Sequence, residues 1–217
     1  MGLIMKKQSK YLKLVPSIVL FIGLPLLLYT LGDFPRKSVV KEILSIVTMI
    51  AFFAMLAQFY FTRHNKHFNR GSEFSMAFKI HKYIGYIFIV VLLLHPFFIV
   101  LPRFFEAGIA PGDAFLTLIT EFSSLGVVLG LMAYAIILLI LITTFFRNKF
   151  DLKYRVGRMF HGYVSVLFLI AASWHVINIG SHSNIPFSVY IILVAAGGIF
   201  YLFQTYFRES QNTMKHE

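Results

Sequence analysis

The chain has 217 residues, of which 58% are hydrophobic and 13% charged. A soluble domain carries roughly 25% charged residues, so this composition points to an all-α integral membrane protein. The formal charge of +11 is explained below by topology rather than by nucleic acid, and the absence of cysteine excludes disulfides, thiolate-held clusters and thioether-attached haem.

Six apolar runs follow one another, at residues 14–31, 43–61, 81–101, 122–146, 159–179 and 185–207. Each suits a helix crossing ~20 residues of hydrocarbon. The first follows a basic head and no small-x-small cleavage site, so it reads as a retained span rather than a signal peptide. Pro16 and Pro25 are expected to kink it. Gly126 and Gly130 form a G-x-x-x-G in the fourth run, which favours close helix contact.

Lys and Arg set the orientation. All but four of the 20 basic residues fall in the N-terminal tail, the second and fourth connections with their edges, and the C-terminal tail. The other side holds Arg36, Lys37, Lys41 and Arg103, set against Asp33, Glu42, Glu106, Asp113 and Glu121. Both termini are therefore expected in the cytoplasm, in a single six-helix domain of a cell membrane, spanning residues 1–217. The outer connection from Pro102 to Glu121 reads either as a short interfacial helix or as a roof over an outer site.

The third and fifth runs carry the chemistry. His81 and His95 stand fourteen residues apart in IHKYIGYIFIVVLLLHPF, and His161 and His175 repeat that spacing in FHGYVSVLFLIAASWHVI. Ionisable rings in a span are costly and mark function. Fourteen residues span ~21 Å of helix and return the second ring to within ~40° of the first. The two runs point the same way across the membrane, so His81 is expected to meet His161 at the inner side and His95 to meet His175 at the outer side. No Asp, Glu or Cys lies at those depths to complete a bare-ion site. Two opposed imidazoles instead suit the axial positions of a haem held between helices. The segments align at an offset of 80 residues, matching His81, Tyr83, Phe88 and His95 to His161, Tyr163, Phe168 and His175. Gly85, Gly162, Ala171, Ala172 and Ser173 either make room for a flat cofactor or permit helix packing.

Other polar residues carry weaker signals. Arg158, before His161, and Arg103, beyond His95, are candidate partners for haem propionates inside and outside, or interfacial anchors. Lys82 is expected to snorkel. Trp174 is expected to be an interfacial anchor. His64 and His67 read as a solvated inner loop, His182 as an outer turn and His216 as tail.

The histidine pattern, with H-K-Y-I-G, L-L-L-H-P, F-H-G-Y and S-W-H, resembles the ferric reductase-like transmembrane domain shared by ferric reductases and NADPH oxidases. The resemblance runs over nearly the whole span pattern. It implies two b-type haems, with His81 and His161 as inner ligands and His95 and His175 as outer ligands. It also implies an oxidoreductase component that moves electrons from the cytoplasm to an outside acceptor such as ferric iron, oxygen or a partner reductase. The larger members continue into FAD- and NAD(P)H-binding domains, which are not expected here, because no G-x-G-x-x-G is present. The donor is thus expected to be FMN or FAD at the cytoplasmic face, a flavoprotein reductase, or a quinol. In size the chain is similar to the haem subunit of the periplasmic methionine sulfoxide reductase system, whose first histidine position is often not histidine. Two rival readings remain: a quinol-oxidising cytochrome b subunit of a larger dehydrogenase, and a histidine-lined channel or transporter.

Overall fold

The computed structural model describes residues 15–32, 34–35, 37–64, 72–122, 124–146, 149, 154–180 and 183–214, without side chains for 61–64, 72–77 and 208–214. The described residues are helical, with no strand among them. Seven helices follow in order: α1 (Val15–Leu31), α2 (Val39–His64), α3 (Ser72–Ala107), α4 (Pro111–Thr120), α5 (Leu125–Phe145), α6 (Tyr154–Ile179) and α7 (Ile185–Met214).

Five of these, α2, α3, α5, α6 and α7, are long and apolar enough to cross a membrane. They match the last five expected runs. α1 is apolar but shorter, and its residue Leu14 lies outside the described residues. The apolar stretches of α2, α3 and α6 begin at Val39, Phe78 and Tyr154, ahead of the expected starts. Charged groups such as Lys41, Glu42, Arg155 and Arg158 are compatible with helix; they only end the purely apolar pattern.

Local chemistry sets the helix ends. Ser38 precedes α2, and its hydroxyl accepts from the Lys41 N–H at 3.5 Å. Asn184 does the same for α7, accepting from the Phe187 N–H at 3.0 Å. Gly108 stops α3 at φ 65°, a left-handed conformation suited to glycine, and its N–H bonds to the Phe104 carbonyl at 3.1 Å. Pro111 then opens α4 at the first turn, where its missing N–H costs nothing.

Proline acts differently inside helices. Pro25 cannot donate to the Phe21 carbonyl, and α1 widens to a π-turn over Val19–Gly23 just before it. The Tyr190 hydroxyl from α7 donates to the neighbouring Leu20 carbonyl. Pro16 sits in the first turn of α1, where no helical donor is lost. Pro102 was expected to open a connection, but α3 continues through it to Ala107. Each proline removes only one backbone bond, and α3 passes through Pro96 in the same way.

The long helices close into a ring. α3 packs along α2, α2 on α7, α7 on α6, and α6 closely along α5. α5 returns to α3 through lighter contacts: the Tyr134 hydroxyl donates to the Leu93 carbonyl at 3.2 Å, and Tyr86 stacks on Phe145 at 5.7 Å. α1 lies outside, against α2 and α7. α3 and α6 therefore stand across the ring from each other.

At one end of the bundle, Glu106 of α3 binds Lys41 and Ser38, while Glu42 accepts from Tyr29 and from the Lys37 N–H. These contacts put the α1–α2 connection beside the end of α3. At the other end, the Tyr206 hydroxyl of α7 donates to the Arg158 carbonyl of α6 at 3.3 Å.

Phe53, Leu56, Ile137, Leu169 and Ile191 are fully buried, and they come from α2, α5, α6 and α7. Only 11% of the apolar stretch of α3 is buried, against 39% for α6. The core is thus drawn mainly from these four helices, with Phe21 and Pro25 of α1 and Ile89 of α3 adding to it. Phe53 packs edge-on against Phe52 and Phe187 and lies tilted on Tyr190. Phe53→Ala is expected to cost about 3–5 kcal/mol through the cavity it leaves. A lowered unfolding midpoint in detergent checks this, and an unchanged midpoint refutes it.

Candidate functional site

The two histidine-bearing helices face each other across the ring, and they meet through their rings. His81 and His161 have ring centres 6.4 Å apart with planes at 73°. His95 and His175 have centres 6.3 Å apart with planes at 83°. The pairing is the one expected from parallel helices; antiparallel helices would have paired His81 with His175. Two layers result, separated by ~21 Å of helix rise.

The stripe between the layers is continuous on both helices. On α3 it reads His81, Gly85, Phe88, Leu92, His95, and on α6 His161, Ser165, Phe168, Ala172, His175. These offsets hold all five residues within about 40° of the first, an arc of about 80°. Phe168 and Ala172 are buried, as is Ile89 beside the α3 stripe.

The surroundings of the four rings differ. The Nδ1 atoms of His81 and His95 are buried and have no hydrogen-bond partner. The Nδ1 of His175 lies 2.8 Å from the Gly126 carbonyl oxygen of α5. Gly130 gives that ring its place: a Cβ there would stand 2.3 Å from Nδ1 and 2.5 Å from Cε1. The G-x-x-x-G was read as a helix contact motif. It is one, since Gly126 meets Ile179, but it is also a seat for His175. Sequence alone had no signal linking Gly130 to a ring on another helix.

Other small residues serve packing. A Cβ on Gly162 would strike the Tyr206 hydroxyl, and one on Gly85 would touch the Gln58 amide at 3.4 Å. The space beside these glycines is thus taken by α7 and α2 side chains. Gln58 and Ser173 are the buried polar side chains among the described residues.

The flanking candidates fall as follows. Arg158 is half-buried at the His81–His161 end, with its guanidinium 6.0 Å from the Tyr154 ring centre. Arg103 is exposed, about 80° round the helix from His95. Lys82 is exposed, with its ammonium 5.7 Å from the Tyr86 ring, and Trp174 is exposed. α4 packs on α3 through Phe97 and Phe115, stacked at 5.9 Å. Phe97 is two residues from His95 and so about 200° round the helix. This contact sets α4 against the face of α3 turned away from the outer pair. Lys6, Lys7, Lys10, Lys13, Asp33, Arg36, Lys66, Arg70, Arg147, Lys153, Lys215, His67, His182 and His216, with the side chains of Arg63, His64 and Arg208, lie outside the described residues.

The donor set discriminates between ligands. No three of His, Asp or Glu come together among the described residues, as a bare zinc or iron ion requires. A metal–imidazole bond of about 2.0–2.1 Å, with about 1.1 Å from nitrogen to ring centre, sets two rings on one ion about 6.3 Å apart. Both pairs stand at that separation. A planar macrocycle supplies its own four equatorial ligands and needs only two more, which fits what each layer offers.

Comparison with known proteins gives one informative relative. An uncharacterized protein of Archaeoglobus fulgidus is 34% identical over 160 residues, covering 74% of this chain and 87% of its own length. The chain belongs to the family of this archaeal protein. No family profile matches the chain, and no solved structure matches it. The family therefore adds no named activity, and functional argument rests on the two ring pairs.

Proposed function

We propose that the chain is a six-span membrane protein that holds two b-type haems and passes electrons across the bilayer. His81 and His161 hold the inner haem, and His95 and His175 hold the outer one. Both termini face the cytoplasm, by the distribution of Lys and Arg. The single observation that carries this reading is the matched separation of the two ring pairs, 6.4 and 6.3 Å, at two depths on the same two helices.

Haem, when bound, would supply a one-electron redox centre in each layer, held by His81 and His161 in one and by His95 and His175 in the other. The residues present then define what the chain itself does. The four imidazoles fix the two centres to facing helices. The apolar stripe between them, Phe88, Leu92, Phe168 and Ala172, keeps water out of the interval. Arg158 inside and Arg103 outside stand as cationic partners for propionates near the interfaces. The donor is a cytoplasmic flavoprotein, a bound flavin or a quinol, and the acceptor lies outside the membrane. On this reading the chain acts as an oxidoreductase component of the ferric reductase-like kind.

The test is spectroscopic. Protein purified from haem-sufficient cells is expected to show a b-type spectrum with two haems per chain. Without cysteine the haem should be extractable by acidified solvent. A folded protein with no Soret band refutes the proposal and leaves a histidine-lined channel or transporter.

A further inference from the structure

The four histidines are not equivalent, and the difference lies in α5. Nδ1 of His175 stands 2.8 Å from the carbonyl oxygen of Gly126. A carbonyl oxygen only accepts, so the hydrogen of this bond belongs to the ring. His175 is thereby held with Nδ1 protonated, and its lone pair sits on Nε2. Neither His81 nor His95 has any such partner on its Nδ1.

The backbone of α5 reaches the ring because positions 126 and 130 carry no side chain. At 130 the ring itself occupies the space of a Cβ, with Nδ1 at 2.3 Å and Cε1 at 2.5 Å from that position. The ring is held on one side by the Gly126 carbonyl and on another by the bare backbone of Gly130. The same helix closes on α6 at Gly126, where a Cβ would stand 2.4 Å from the Ile179 Cγ2 atom.

We propose that Gly126 and Gly130 of α5 form a positioning element for the outer centre, fixing the tautomer and orientation of His175 as ligand. This rests on the haem reading above. The partner carbonyl makes Nε2 a stronger donor and restrains the ring before any ligand arrives. Partners of this kind are worth about 10–100-fold in affinity at metal sites. Among the described hydrogen bonds a backbone seat of this kind is found on His175 of the outer layer, so the two centres are expected to differ in affinity and in potential.

Two measurements test it. In the first, Gly130→Ala is purified beside Gly198→Ala, a packing control whose added Cβ would stand nearest to Phe59 and Tyr60. Gly130→Ala is expected to weaken the outer haem about 10–100-fold, or to shift its midpoint and spectrum, with the inner centre unchanged. Gly198→Ala is expected to leave both centres as they are. A folded Gly130→Ala protein with both centres unchanged overturns the proposal, as does an equal effect from the two variants. In the second, solid-state nitrogen NMR of isotope-labelled histidine is recorded on haem-free wild-type protein, with His175 assigned by its loss in His175→Ala. The Nδ1–H tautomer is expected, and an Nε2–H tautomer overturns the proposal. This reading needs neither haem nor a folded Gly130 variant. If wild-type protein takes up no haem, the function proposed above fails while the tautomer remains decided on its own.

Discussion

His95→Ala is expected to leave one haem per chain instead of two, and His81→Ala the same number but the other haem. Each variant removes one of the two imidazoles that would hold haem in its own layer. The partner rings, His175 and His161, lie in contact with those layers alone. The layers are separated by ~21 Å of helix rise, so neither substitution touches the opposite pair directly. A redox titration should resolve two waves in the wild type and a single, different wave in each variant. Loss of both haems from either variant, in protein that keeps its helical content, would refute the layered pairing. Combining His81→Ala with His95→Ala is expected to abolish haem altogether.

Vesicles provide the second large effect. With a reductant confined to one side and an impermeant ferric acceptor on the other, wild-type protein is expected to reduce the acceptor across the bilayer. Breaking either layer should reduce the rate to that of protein-free vesicles, since each single layer reaches only one surface. A potential negative on the donor side should speed the reaction, because moving one charge through it is worth about 2.3 kcal/mol per 100 mV. Unimpaired transfer in His95→Ala would show that the outer layer lies off the electron path.

Much of the site was legible from sequence because helix geometry is rigid. A spacing of fourteen residues fixes both depth and direction for a pair of rings, and a repeated spacing on parallel helices fixes their partners. The five long helices were legible for a similar reason, since an apolar run of sufficient length has few other readings. The ends were less so. Hydropathy marks where side chains become apolar, whereas α6 begins before Arg155 and Arg158, whose backbones are helical. α4 shows another limit: the sequence placed a short segment outside but could not choose its face, and the Phe97–Phe115 stack decides that. The seat of His175 was invisible for a different reason. It depends on backbone atoms of a separate helix, and a carbonyl oxygen leaves no mark in a residue pattern.

The shared spacing makes α3 and α6 the rails of a ladder with two rungs. An inserted residue between rungs on one rail turns the far ring by about 100° and displaces it by ~1.5 Å, so one rung is lost even if the helix survives. The same insertion in the connection between α5 and α6 changes neither rung. Length variation is therefore expected to be barred inside the rails and tolerated in the loops, and a matched single insertion on the other rail should not repair the broken rung, because both far rings then turn by about 100° in the same sense and no longer face each other.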